Sequence, residues 1–143
     1  MAKNVGPKGV ESNEKALFFQ EFLMENNINV FSTESIDDAY STVIFRSRIE
    51  TRGQILPMAI LIDTSIFTVI RTQIITGLSQ DKYMRIKEYL NMLNTQYKIF
   101  KYYLKDGGTV YLEACLPFID ETFDSKDGAA HAQRAGTASR CCL

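Results

Sequence analysis

An α+β domain built on an antiparallel sheet is what the sequence predicts, from three observations. Residues 41–75 hold three strand-like runs joined by short turns. A helical pattern rich in large apolar residues precedes them. A second helical pattern follows, and its period switches at about residue 97 to that of a tight β-hairpin. Strands in runs, joined by hairpins and interrupted by a helix, indicate segregated α and β elements rather than a parallel βαβ layout. The expected order is α-β-β-β-α-β-β, with a weaker last helical turn.

The first helix is expected from a Ser12 or Asn13 cap to about Asn26. A side-chain oxygen at the cap accepts a backbone N–H of the first turn, and Asn26-Asn27 is a natural stop. Ala16, Phe19, Phe22 and Leu23 form its stripe, widened by Leu17, Phe18 and Met24, and imply burial against a sheet. Val30-Phe31 can begin a short strand, with a turn at Ser35–Asp38. Ser41–Glu50 then alternates, with Val43, Phe45 and Ile49 opposite Ile44, Arg46 and Arg48. Glu50-Thr51-Arg52-Gly53 closes a hairpin. Ile55–Ile62 is almost continuously apolar, as in a strand covered on both faces, and Pro57 implies a bulge or an edge position near its start. Asp63-Thr64-Ser65 turns the chain into a third strand, Ile66–Ile75.

Ser79 is the expected cap of the second helix, with Asp81 at the positive end of its dipole. Tyr83, Ile86, Leu90 and Leu93 make the core-facing stripe, and Asn94-Thr95 the expected end. Ile99–Leu104 and Val110–Leu116 read as strands around Asp106-Gly107-Gly108, whose glycines supply the positive φ of a tight turn. Pro117 marks the end of the last strand.

A chain of 143 residues forms one domain and buries a core without disulfides or metals. The expected division is a polar arm over 1–12, the domain over 13–124 and a small, polar tail over 125–143. Apolar residues make up 45% and charged residues 23%, and 16 lysines plus arginines face 17 acids for a net charge of −1. That balance gives no general attraction to nucleic acid or anionic lipid. Three cysteines, Cys115, Cys141 and Cys142, fit neither a disulfide framework nor a zinc site. No secretory signal or membrane span is recognisable, so a cytoplasmic location is expected.

The run from Glu88 to Pro117, EYLNMLNTQYKIFKYYLKDGGTVYLEACLP, resembles the YbjN family of bacterial proteins. There a helix ending in a Leu-Asn pattern leads to a hairpin with an Asp-Gly turn and a terminal Leu-Pro. The matching positions are Asn91, Asn94, Asp106, Gly107, Leu116 and Pro117. The resemblance covers about Glu14 to Phe123 and implies the α-β-β-β-α-β-β-α architecture of type III secretion chaperones. The third helix of that fold has no clear counterpart in residues 125–143, which lack apolar periodicity. The motif is structural rather than catalytic, and it implies no cofactor.

Chemical motifs are few. Ser79-Gln-Asp-Lys82 matches Ser-x-x-Lys, but neither companion motif is present and a helix cap explains it. His131, the one histidine, falls in the tail, leaving no Ser–His or Cys–His pair for the domain. Asp37-Asp38 and the group Asp120, Glu121 and Asp124 lack the spacing of a cation loop. Cys141-Cys142-Leu143 does not fit a prenylation signal, because Arg140 stands where the cysteine belongs. Lys82, Arg85, Lys87, Lys98, Lys101 and Lys105, interleaved with Tyr97, Tyr102, Tyr103 and Tyr111, raise single-stranded nucleic acid as an alternative ligand. A solvated face is the favoured reading of that set. A small enzyme is the remaining alternative.

The expected function is therefore a non-enzymatic, chaperone-like protein-binding module whose client is a protein or peptide. Helices covering one sheet face leave apolar strand surface, with Ile60 and Ile62 as candidate contacts. Met84, Tyr89 and Met92, outside the core stripe of the second helix, supply a candidate homodimer surface.

Overall fold

A computed structural model describes residues 13–117, which form two helices and six strands. Helix α1 spans Glu14–Glu25 and helix α2 Tyr83–Gln96. The strands are β1 (Ser32–Ser35), β2 (Val43–Thr51), β3 (Gln54–Ile62), β4 (Phe67–Ile75), β5 (Phe100–Lys105) and β6 (Thr109–Pro117). All neighbours pair antiparallel, in the order β1-β2-β3-β4-β6-β5. The α+β class and the order of its elements are as expected, with β1 falling one residue after Val30-Phe31. The arm 1–12, the helical turn at Phe118–Phe123 and the tail, with His131, Cys141 and Cys142, lie outside the described residues.

Asn13 fixes α1 to the sheet. Its Oδ1 accepts from the N–H of Ala16 as a cap, and its Nδ2 donates to the carbonyls of Ser41 and Ile62, both at 2.9 Å. One buried side chain thus joins the helix start, the entry to β2 and the end of β3. Ala16 and Leu23 are buried on Val43 and Phe45 of β2 and Ile62 of β3, with Phe19, Phe22, Phe31 and Ile60 packed around them. The Phe19 ring meets Phe45 edge-on at 4.8 Å and Phe31 at 6.0 Å. This contact forms one cluster of the core; Leu90 of α2 and Val110 and Ala114 of β6 are buried outside it.

The β2–β3 turn has Arg52 at φ 47° and Gly53 at φ 75°, the two positive angles of a two-residue hairpin. Pro57 lies opposite Arg48 with the register unbroken, and β3 meets β4 only from Met58 onward. Of the two readings of Pro57, the local edge position holds and the bulge does not. A bulge does occur in β4 between Gln73 and Ile75, where β4 leaves β3 and continues against β6 alone.

Ser79 differs from expectation. It opens a 3-10 turn, Gln80–Lys82, without a side-chain capping bond to the backbone. Its hydroxyl bonds Asp81 instead, which holds that carboxyl below its ordinary value. The α-helix proper begins at Tyr83. Its stripe is as expected, with Leu90 buried and Tyr83, Ile86 and Leu93 half-buried. Asn94 does not end the helix, which runs on to Gln96. Its side chain instead accepts from the N–H of Tyr102 at 2.7 Å and donates to the Tyr102 carbonyl at 2.9 Å, occupying the outer edge of β5. The Tyr97 and Tyr102 rings lie 6.3 Å apart, which places α2 on the α1 side of the sheet.

The β5–β6 turn carries Gly107 at φ 94° and Gly108 at φ 79°. Nothing lies near a Cβ added at Gly107, whereas one at Gly108 would clash with the Leu78 carbonyl oxygen. Gly108 also accepts from the Leu78 N–H at 2.9 Å, so this turn anchors the chain entering α2. Gly107→Val should cost about 1–3 kcal/mol, the strain of positive φ alone. Gly108→Ala should cost more, since a backbone clash adds to the strain. Urea midpoints of the two variants check the ranking, which fails if Gly107 proves the more sensitive. Asn13→Ala should cost at least about 2 kcal/mol, the loss of a cap plus two side-chain bonds to the Ser41 and Ile62 carbonyls. A midpoint within error of the parent would show that α1 is held by its apolar stripe alone.

Candidate functional site

Residues on one strand alternate between faces, so the register assigns every strand side chain to one of two surfaces. Val43, Phe45, Ile60, Ile62 and Ile70 share the face that carries α1. Ile62 is buried there and Ile60 packs against the core. The partner surface expected at these two residues is therefore taken up by the protein's own helix.

The opposite face carries no described helix. Every charged side chain in the six strands projects from it: Glu34, Arg46, Arg48, Glu50, Arg71, Lys101, Lys105 and Glu113. The register sets Ser32, Arg46, Ala59, Arg71, Glu113 and Lys101 directly side by side across all six strands. One step along lies an apolar row of Ile44, Leu61, Val69 and Cys115, and one step the other way lie Arg48, Pro57, Gln73 and Tyr111. Arg46 and Arg71 flank Ala59 two strand spacings apart, about 10 Å between their Cα atoms. The small Ala59 between two long side chains leaves a groove of about 910 Å³, lined by Val30, Arg46, Ala59, Leu61, Arg71 and Tyr111 among others.

Glu113 is the electrostatic centre of this face. Its Oε2 accepts from Arg71 Nε at 2.8 Å and from the Tyr103 hydroxyl at 2.9 Å, and Lys101 Nζ lies 3.0 Å from Oε1. The Tyr103 and Tyr111 rings stack at 5.4 Å; Lys101 sits 5.3 Å over Tyr103 and Arg71 5.8 Å over Tyr111. Burial pushes the Glu113 carboxyl up, but the donations from Lys101, Arg71 and Tyr103 outweigh it and hold it below its ordinary value. Burial, followed by the bond to Glu113, pushes the Tyr103 phenol up to about 12. Burial acts to lower Arg71, and Glu113 more than reverses this, so the guanidinium stays charged. Glu113 is thus an ionised acceptor with its donors already in place. At the other end of the row Glu34 pairs with Arg46 at 2.9 Å, both side chains half exposed.

The remaining expected residues are dispersed. Met84, Tyr89 and Met92 are exposed on α2. At helical spacing Arg85 and Glu88 fall among them, so that side is mixed rather than apolar. Asn91 is exposed, Asp106 and Gly107 form the hairpin turn, Leu116 is half-buried and Pro117 ends β6 opposite Phe67. The basic and aromatic residues of the helix–hairpin divide: Lys101, Lys105, Tyr103 and Tyr111 lie on the open face, while Tyr97 and Tyr102 lie on the other with α2. Asp38 organises a turn, accepting from Thr42 Oγ1 at 2.6 Å and from the N–H groups of Thr42 and Tyr40. No cluster of potential metal ligands occurs among the described residues. None of their helices is long and apolar enough to cross a membrane. Comparison with family models, curated proteins and solved structures finds no match for this chain.

Sequence reasoning placed Arg46 and Arg48 away from the α1 face but missed Arg71, Glu113 and Tyr103 as a unit. Their association depends on which strands are neighbours, which no local pattern encodes.

Tyr103 gives the site a measurable signature. Its phenol binds the proton more tightly in the folded protein, so its stabilising contribution is complete below the ordinary value of 10.0 and is lost as pH rises toward about 12. Of the seven tyrosines, Tyr103 should ionise last in a phenolate absorbance titration, after Tyr102, whose phenol burial also pushes up. Glu113→Gln should advance that ionisation and cost about 1–3 kcal/mol, the penalty for leaving its donors without a charged acceptor. A Tyr103→Phe variant that retains this last phenolate would show that the signature belongs elsewhere. For Glu113 the sign is opposite: its contribution is present above the ordinary carboxylate value and lost as pH falls through the depressed one.

Proposed function

We propose that this protein is a non-enzymatic binding module that holds a segment of a client protein in the groove of its open sheet face. The observation that carries the reading is the division of the sheet: both helices lie on one side, and the other presents a groove with an apolar floor and a charged, aromatic rim. Such a floor offers area for burial, while rim groups orient what binds. On this face five basic side chains, Arg46, Arg48, Arg71, Lys101 and Lys105, meet three acids, Glu34, Glu50 and Glu113. The excess favours a client segment that is apolar with acidic positions. The resemblance to YbjN proteins and type III secretion chaperones supports a chaperone-like role. The absence of a cation or cofactor requirement and a cytoplasmic location belong to the same reading.

Against an enzyme stands the state of Glu113, whose carboxylate is already engaged by two cations and a phenol rather than poised for proton transfer. Against single-stranded nucleic acid stands the division of the basic and aromatic residues between the two faces.

Ala59→Tyr fills the groove between Arg46 and Arg71 without touching the α1 core. Proteins recovered with the tagged parent from a lysate should include one that this variant fails to retain, with the far-UV spectrum of the variant unchanged. Equal recovery by parent and variant would remove the groove from the proposal. Binding to a labelled oligonucleotide that weakens steeply with salt would replace a protein client by nucleic acid.

A further inference from the structure

The β2–β3 hairpin projects beyond its neighbours. β1 pairs with β2 only at Val43–Arg46, which leaves Ser47–Thr51 without a strand partner on that side among the described residues. The residues before β1, 28–31, are not in a strand and make no backbone hydrogen bond to this stretch, although Asn29 and Val30 line the groove beside Arg48. The two-residue turn makes Thr51 and Gln54 a hydrogen-bonded pair, and the antiparallel alternation then points the N–H and C=O of Arg48 and Glu50 away from β3. Pro57 opposite Arg48 agrees, since that position asks for no donor toward β2. Arg48 and Glu50 therefore offer two donors and two acceptors on an open edge, with exposed side chains that have no ion-pair partner among the described residues. The opposite edge of the sheet differs, because Asn94 occupies the outward groups of Tyr102 on β5.

We infer that this edge is a homodimer contact, in which Ser47–Thr51 of two copies pair antiparallel about a two-fold axis through Ile49. The sequence Ser-Arg-Ile-Glu-Thr is self-complementary in that arrangement. Arg48 falls opposite Glu50 of the second copy, and Glu50 opposite its Arg48, on the same face. Their outward backbone groups are those that a narrow antiparallel pair exchanges, giving four hydrogen bonds per dimer. Ile49, exposed at 37%, meets its own copy across the axis on the other face, at the close spacing of a non-hydrogen-bonded pair. The paired stretch ends where β1 begins, so the second copy's hairpin fits the notch that β1 leaves open. A register shifted by two residues one way sets Glu50 opposite Glu50 and Arg48 opposite Arg52. The other way it sets Arg48 opposite Arg48 and calls on the outward groups of Arg46, which β1 already holds. This contact is distinct from the mixed outer side of α2 and does not depend on what the groove binds.

Sedimentation equilibrium of the full chain over a concentration series tests it. The parent should show a reversible dimer. Arg48→Glu and Glu50→Arg should each weaken it by about tenfold or more, because each places like charges opposite one another twice. An equimolar mixture of the two variants should restore parent-like dimerisation, since one strand then carries two acids and the other two bases. That recovery also shows that both variants fold. A parent that stays monomeric throughout, a mixture that stays as weak as its components, or a dimer lost with Met92→Glu and kept with Arg48→Glu would each overturn the contact.

Discussion

The buried amide of Asn13 is the constraint on which the arrangement rests. A single side chain accepts from the first turn of α1 and donates to carbonyls from two parts of the sheet, so the helix cannot slide or rotate without stranding polar groups. With α1 held in this way, Phe19 and Leu23 land on Phe45 and Ile62, and one face of the sheet becomes the core. The other face is then free to carry charge. Antiparallel sheets commonly divide polarity like this, but here the division is complete among charged strand residues.

Charge on the open face is organised rather than scattered. Glu113 joins three strands, β4, β5 and β6, through Arg71, Lys101 and Tyr103. A partly buried ion cluster contributes little net stability, because desolvation offsets much of the attraction. Its effect is on register: a one-residue slip of β6 would turn Glu113 toward the core face and leave its donors on the open one. The same cluster leaves Ala59, on β3, as the low point between arginines, so the groove is a by-product of side-chain length along one row.

Much of the fold was legible because its signals are local. The period change near Tyr97, the glycines at 107 and 108, and the alternation from Val43 to Ile49 each act within a few residues. Ser79 and Asn94 depart from expectation for related reasons. The Ser79 hydroxyl is spent on Asp81 rather than on a first-turn N–H, and Asn94 stays helical with its amide tied to the Tyr102 backbone rather than marking a left-handed end. Ile60 and Ile62 read as surface from sequence because a run apolar on both sides does not say which side its own helix will take. The open-face cluster was not legible at all, since Arg71 and Glu113 meet only through the pairing of β4 with β6.

Asn94 has a consequence beyond holding α2 to the hairpin. A sheet with two available edges is a repeating unit: each copy accepts one neighbour and presents an identical edge to the next, and growth has no natural end. By filling the hydrogen-bonding groups of Tyr102 with a side-chain amide that mimics a strand, this chain removes one of its two valences. What remains is monovalent along the sheet direction. Edge-to-edge growth past one step would have to displace this asparagine from the middle of β5.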